Sequence, residues 1–200
     1  VALAREYDCY LLADEIYVGS ELDGRETPSF MGLYDKTIVV SGLAKSLSHP
    51  GLRIGWLAGP REVIEGAWHH HDYTSISTGI ISQYAANIIL QPAKRREVLD
   101  RGRALLRTNV PVVEQWAAAH GDRFHMIAPR AGGMAFMRYN FDINSSELVT
   151  RLREDKSVLL VAGDWFGMDR YLRLGIGGNT DELVEGLELV NEFLLELEGG

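Results

Sequence analysis

The sequence predicts an α/β protein. Three observations carry this: short apolar runs bounded by turn residues in the first third, a helical middle, and alternating strand and capped-helix signals in the last third. The runs at residues 10–14, 37–41 and 52–56 are aliphatic or β-branched and end at Gly, Pro or Asp. That is the pattern of strands covered on both faces of a sheet. Residues 82–90 are rich in Ala, Ile and Leu, and Pro92 opens a longer helical stretch to about Ala119, with Gly121 just past its end. Pro111 inside it predicts a kink or break, and a helix of that length would connect two lobes. In the last third, residues 124–127 and 134–139 read as strands around a turn at 129–133, and residues 158–162 and 171–175 as two more. Asn144 with Glu147, and Asn179 with Glu182, are capping patterns that open helices. In the second helix Leu183, Val184, Leu187, Val190, Phe193, Leu194 and Leu197 form an apolar stripe, read as a core face.

With 200 residues, 46% hydrophobic and 24% charged, the composition is that of a soluble globular protein with one good core or a core plus a smaller lobe. The net charge of -8 argues against nucleic acid as the main partner, while leaving room for a local basic pocket around a small anion. Cys9 is the single cysteine, so no disulfide forms within the chain, which suits a reducing, cytoplasmic compartment. It has no basic neighbour and reads as a structural thiol. No apolar stretch reaches the ~18 residues of a membrane span, and the first residues of this sequence do not show a charged-then-apolar signal pattern. Residues 1–7 read as the last turns of a helix, without an initiator Met or an N-cap, so the chain is expected to begin inside a longer protein.

The segment with the strongest chemistry holds Ser41, Lys45, Pro50, Gly51, Arg53 and Gly55, leaving one strand and re-entering another. A lysine between two buried strands is costly unless paired or neutralised, and a lysine of lowered pKa is a nucleophilic amine suited to Schiff-base chemistry. Ser41 and Arg53 are near enough in sequence to hold a phosphate together. A second signal is Asp14, Glu15 and Tyr17 at the end of an apolar strand, a frequent ligand position in open α/β sheets. A carboxylate there pairs with a protonated ring nitrogen, and a tyrosine donates to a phenolate-type oxygen; Glu15 is read as structural. A third is Arg173 inside a short apolar strand, which calls for an anion: either a buried ion-pair partner or a substrate carboxylate.

The order and spacing D-E-x-Y, then S-x-x-x-K-x-x-x-x-P-G-x-R-x-G, then a late strand arginine resemble the C-terminal half of class I/II aminotransferases, the fold type I pyridoxal-phosphate (PLP) enzymes. The resemblance covers nearly the whole chain. It implies that Asp14 pairs with the pyridine nitrogen and Tyr17 with the ring oxygen. Lys45 is then the Schiff-base lysine and proton carrier, Ser41 and Arg53 hold the phosphate, and Arg173 binds the substrate α-carboxylate. It implies residues 1–90 as the C-terminal part of a large mixed-sheet domain, 91–120 as an interdomain helix and 121–200 as a small α+β domain. It further implies a homodimer in the full-length protein and an α-amino acid donor with an α-keto acid acceptor. Two alternatives stand beside transamination. One is elimination, replacement or oxidation on an arginine-like amino acid, as in capreomycidine synthase-like members; the other is an effector-binding domain of a transcription regulator. The family's phosphate loop, its ring-stacking aromatic and its asparagine near the ring oxygen normally lie upstream of these motifs. The chain alone is therefore expected to bind PLP poorly.

Weaker signals complete the reading. Three adjacent histidines, His69, His70 and His71, do not share a face and are not expected to hold a metal. Thr74 opens a Ser/Thr-rich turn at residues 74–78 that in the resembling enzymes lies near the dimer interface, which makes it a candidate substrate or interface residue. Arg130 sits in the turn at residues 129–133, which in the resembling enzymes often borders the substrate; it reads first as a surface residue, with a substrate side-chain contact as the alternative. The run Gly175, Gly177, Gly178 fails the dinucleotide pattern at Thr180 and reads as a turn before a capped helix.

Overall fold

The computed structural model describes residues 1–199. The chain divides into two compact units, Val1–Arg103 and Ala104–Gly200. The division falls inside one long helix, so each unit contains part of it.

Unit 1 runs α1 (Ala2–Glu6), β1 (Leu11–Asp14), β2 (Thr37–Gly42), β3 (Gly55–Ala58), α2 (Arg61–Thr74) and α3 (Ile80–Ile89), followed by the start of α4 (Pro92–Ala119). Its sheet has the order β1-β2-β3. β1 and β2 are parallel, with Asp14 opposite Val40. β2 and β3 are antiparallel, with Ser41 opposite Trp56 and Gly42 opposite Gly55.

The expectation of strands covered on both faces is met by β2, whose residues are all buried or partly buried, but not by β1 and β3 within this chain. Leu12 is 65% exposed, and Trp56 and Leu57 are exposed as well. β3 also starts later than its apolar run, because residues Pro50–Leu52 form a 3-10 turn that ends on Arg53 in the left-handed region. Helix α2 is additional to the elements read from the sequence, and it has no buried residue. α4 does not break at Pro111 and is continuous over 28 residues. The proline supplies no N–H to the preceding turn, but burial of Val110 and Val113 beside it holds the helix.

Unit 2 continues from α4 through β4 (Phe124–Met126), β5 (Met134–Tyr139), α5 (Ser145–Lys156), β6 (Val161–Ala162), β7 (Tyr171–Gly175) and α6 (Thr180–Gly199). The sheet order is β4-β5-β7-β6, and every pairing is antiparallel. On β5, Ala135, Met137 and Tyr139 are buried while Met134 and Arg138 are exposed, the alternation of a sheet packed on one side. From α6, Leu187, Val190, Phe193 and Leu194 are buried. The capping patterns are realised in part: Asn144 accepts from the Ser146 N–H, and Asn179 from the Asp181 N–H at 2.7 Å. The same N-terminal end of α5 is also held by Asp169, which accepts from the Ser145 N–H at 2.8 Å.

That last bond has a pH consequence. The Ser145 N–H, with the Arg170 N–H assisting against partial desolvation, holds the Asp169 carboxyl below the ordinary aspartate range. A depressed carboxylate stabilises the fold above its unfolded-state pKa of about 3.9, and that contribution is lost as pH falls through the folded value. Thermal midpoints measured from pH 5 downward should fall more steeply for the wild type than for Asp169→Asn, which has already lost the charge. Parallel slopes would contradict this role.

Gly163 marks the tightest backbone approach. A Cβ there would lie 2.2 Å from the Met168 carbonyl oxygen and 2.5 Å from the Tyr171 Cβ. Gly163→Ala must push the β6–β7 connection apart, and a loss of about 2–3 kcal/mol is expected by denaturant unfolding. An unchanged midpoint would mean that this turn yields freely.

Candidate active site

Because β1 and β2 are parallel, their carboxyl ends deliver Asp14 and the Ser41–Lys45 segment to the same edge of the sheet. Backbone bonds stitch the two loops together. The Glu15 N–H donates to Val40 (2.9 Å) and the Ser46 N–H to Ile16 (3.3 Å). The Ser41 hydroxyl donates to the Glu15 carbonyl at 3.2 Å. Gly42 lets β3 pass: a Cβ there would lie 2.8 Å from the Ile54 carbonyl oxygen. Glu15 turns away, as expected, and accepts from the Ser29 hydroxyl and the Phe30 N–H.

Lys45 is exposed, not buried as its position between strands suggests. The cause is local. Leu43 and Leu47 on either side are buried, at 0% and 4% exposure, in a cluster with Ala86, Ile89, Val98 and Leu99. The His49 N–H closes the loop onto the Leu43 carbonyl, and the Ser48 N–H donates to that of Lys45. With its two neighbours anchored inward, Lys45 is left at the apex. Among the described residues its ammonium has no hydrogen-bond or ion-pair partner. Ser48 (φ 57°) and Arg53 (φ 54°), which flank the loop, both take the left-handed conformation, which costs about 1–2 kcal/mol each outside glycine.

The other candidates of unit 1 lie as follows. One oxygen of Asp14 accepts from the Ile16 N–H at 3.1 Å, and the carboxylate is otherwise exposed. Tyr17 is 36% exposed. The exposed Arg53 guanidinium donates to the Pro50 carbonyl at 3.1 Å. Thr74 ends α2 and its hydroxyl donates to the His71 carbonyl within that helix. Among the described residues no cluster of His, Cys, Asp or Glu is arranged to hold a metal, and Cys9 is exposed.

In unit 2, Arg173 is half-buried on β7, opposite Phe136 on β5 and Val161 on β6. Its guanidinium lies 5.9 Å from the centroid of the Phe166 ring. Phe136 stacks on Tyr171 at 4.9 Å and meets Phe166 edge-on. Among the described residues no carboxylate pairs with Arg173, so the ion-pair alternative finds no partner there. Asn109 of α4, fully buried, donates to the Ile176 and Gly178 carbonyls at 2.9 Å each and accepts from the Thr180 hydroxyl. It fixes the turn that follows Arg173. Its only sequence signal was a polar residue of poor helix propensity inside a long helix. Arg130 is exposed.

A chain with two such units and these motifs belongs to the aminotransferase class I and II family, which matches residues 1–190. It is 30% identical over 210 residues to the probable N-acetyl-LL-diaminopimelate aminotransferase of Bacillus subtilis, covering 98% of this chain and 49% of that protein. It is 28% identical over 160 residues to capreomycidine synthase of Streptomyces vinaceus, covering 80% and 41%. A PLP-dependent aminotransferase from Streptococcus suis 89-1591 superposes with a TM-score of 0.89 at 33% identity, over 98% of this chain and 51% of that one. Aspartate aminotransferase from Thermus thermophilus with maleate gives 0.85 at 26%, over 94% and 49%. The fold is thus that of the fold type I PLP-dependent aminotransferases. The chain spans about half the length of the relatives it matches.

Proposed function

We propose that this chain is the C-terminal half of a PLP-dependent aminotransferase that moves the amino group of an α-amino acid to an α-keto acid. The observation that carries the reading is Lys45. Its unpartnered amine stands at the apex of a loop tied to the Asp14–Tyr17 turn, at the carboxyl end of two parallel strands. The residues fit the cofactor by charge: a carboxylate with an oxygen to spare, a free amine, a hydroxyl and an exposed guanidinium. When bound, PLP supplies an electron sink for negative charge developing at the substrate Cα.

The chain's own residues then have distinct tasks. Asp14 would hold a proton at the ring nitrogen, and Tyr17 would donate to the ring oxygen. Ser41 and Arg53 would hold the phosphate. Lys45 Nζ would hold the cofactor covalently and move the substrate Cα proton as a general acid–base. Arg173 takes the substrate α-carboxylate with its two-pronged donor. For the whole protein we further propose residues 1–90 as part of the large domain, 91–120 as the interdomain helix and 121–200 as the small domain. We propose a cytoplasmic homodimer, and Thr74 near its interface. The exposed apolar side chains of Tyr73, Ile76, Ile80, Ile81 and Tyr84 support an interface there.

The similarity to capreomycidine synthase supports a second reading, elimination or oxidation on an arginine-like amino acid. A donor screen on the full-length protein with PLP separates the two. Keto-acid-dependent appearance of a new amino acid is expected; release of ammonia without an acceptor would favour the second reading, and no reaction with any donor would sink both.

A further inference from the structure

The loops that carry Tyr17 and Lys45 share one buttress, and it is a short stretch of α4. On the Tyr17 side, the Tyr17 carbonyl accepts from both the N–H (3.0 Å) and the hydroxyl (2.6 Å) of Ser20. Gly19, at φ 97°, packs against Leu99 so closely that a Cβ would lie 2.8 Å from its methyl carbon. The Glu21 carboxylate then closes the loop, accepting from the N–H groups of Gly19 (2.7 Å) and Thr27 (2.8 Å). Next to Thr27, Glu26 is clamped to α4 by the forked guanidinium of Arg95, at 2.7 and 2.6 Å.

A second arginine backs this clamp. Arg103 is 6% exposed and donates to Asp100 at 3.0 Å. Its Nη2 is 4.0 Å from Glu26 and, like its Nε, has no hydrogen-bond partner. A buried guanidinium so incompletely bonded is costly, and the Glu26 carboxylate is a counter-charge that offsets the cost. On the Lys45 side, the same turn of helix lies against the loop. A Cβ on Gly102 would be 3.9 Å from the Ser48 hydroxyl and 4.0 Å from the Ser46 carbonyl. Leu99 and Val98 share the buried cluster of Leu43 and Leu47.

We propose that Glu26, held by Arg95 and Arg103, is a positioning residue that fixes the Tyr17 phenol relative to Lys45. This rests on the PLP reading above. Glu26 touches no reacting atom in it; it acts by anchoring residues 18–27 to the helix turn that also anchors the lysine loop. A two-pronged ion pair suits the task, because it fixes direction as well as distance.

The test is a pH titration of the visible absorption of the PLP-loaded full-length protein, for wild type, Glu26→Gln, Tyr17→Phe and the double variant. Arg95→Lys, which keeps the charge but loses the fork, serves if Glu26→Gln fails to fold. Glu26→Gln should move the titration midpoint in the same direction as Tyr17→Phe, by about half a pH unit or more. It should add little on the Tyr17→Phe background. An unmoved midpoint with a lowered thermal midpoint would make the cluster merely structural and overturn the proposal. Full additivity, or a Tyr17→Phe titration identical to wild type, would overturn it too. A wild type with no visible band would instead remove the PLP reading itself.

Discussion

Lys45→Ala should abolish the visible absorption of the PLP-loaded full-length protein and its transamination. The amine would be lost twice over, as the Schiff-base nitrogen and as the base that moves the Cα proton; the second role alone is worth about 10²–10⁴-fold. Lys45→Arg should fail as completely, although it keeps the positive charge, because a guanidinium stays protonated and is no nucleophile. The pair therefore separates amine chemistry from simple charge. Neither change should unfold the protein, since Lys45 is exposed and the loop is held by Leu43 and Leu47. Survival of the absorption in the alanine variant would place the cofactor elsewhere.

Arg173→Leu should leave stability intact and raise KM for the amino acid. No carboxylate among the described residues depends on this guanidinium, and a leucine beside Phe136, Phe166 and Tyr171 enters aromatic surroundings. The charge-assisted pair with a substrate carboxylate is worth about 2–5 kcal/mol, so kcat/KM should fall by about 30-fold to several thousand-fold. Arg173→Lys should lie between, with charge kept and fork lost. A destabilised protein with unchanged KM would instead reveal a structural ion pair made by the complete protein.

Much of this was legible in the sequence wherever the signal was local. The capped helices, the strand of Arg173 and the length of α4 depend on neighbours in the chain, and they fell close to where pattern and capping rules put them. Lys45 was found by its motif, yet its environment was misjudged. Two short apolar strands around a lysine suggest burial, whereas the inward anchors at Leu43 and Leu47 and the bare faces of β1 and β3 leave it open. The Glu26–Arg95 clamp joins residues 69 apart, and no local pattern announces such a pair. Asn109 was similarly hidden, because its three partners lie beyond β7, well away in the chain.

The central claim is a covalent bond between one lysine and one cofactor, and borohydride reduction of the PLP-loaded full-length protein tests it most directly. Peptide mapping after reduction should find the phosphopyridoxyl group on the peptide that contains Lys45, at close to one per chain, and on no other. Its appearance on another lysine, or on none, would contradict the account.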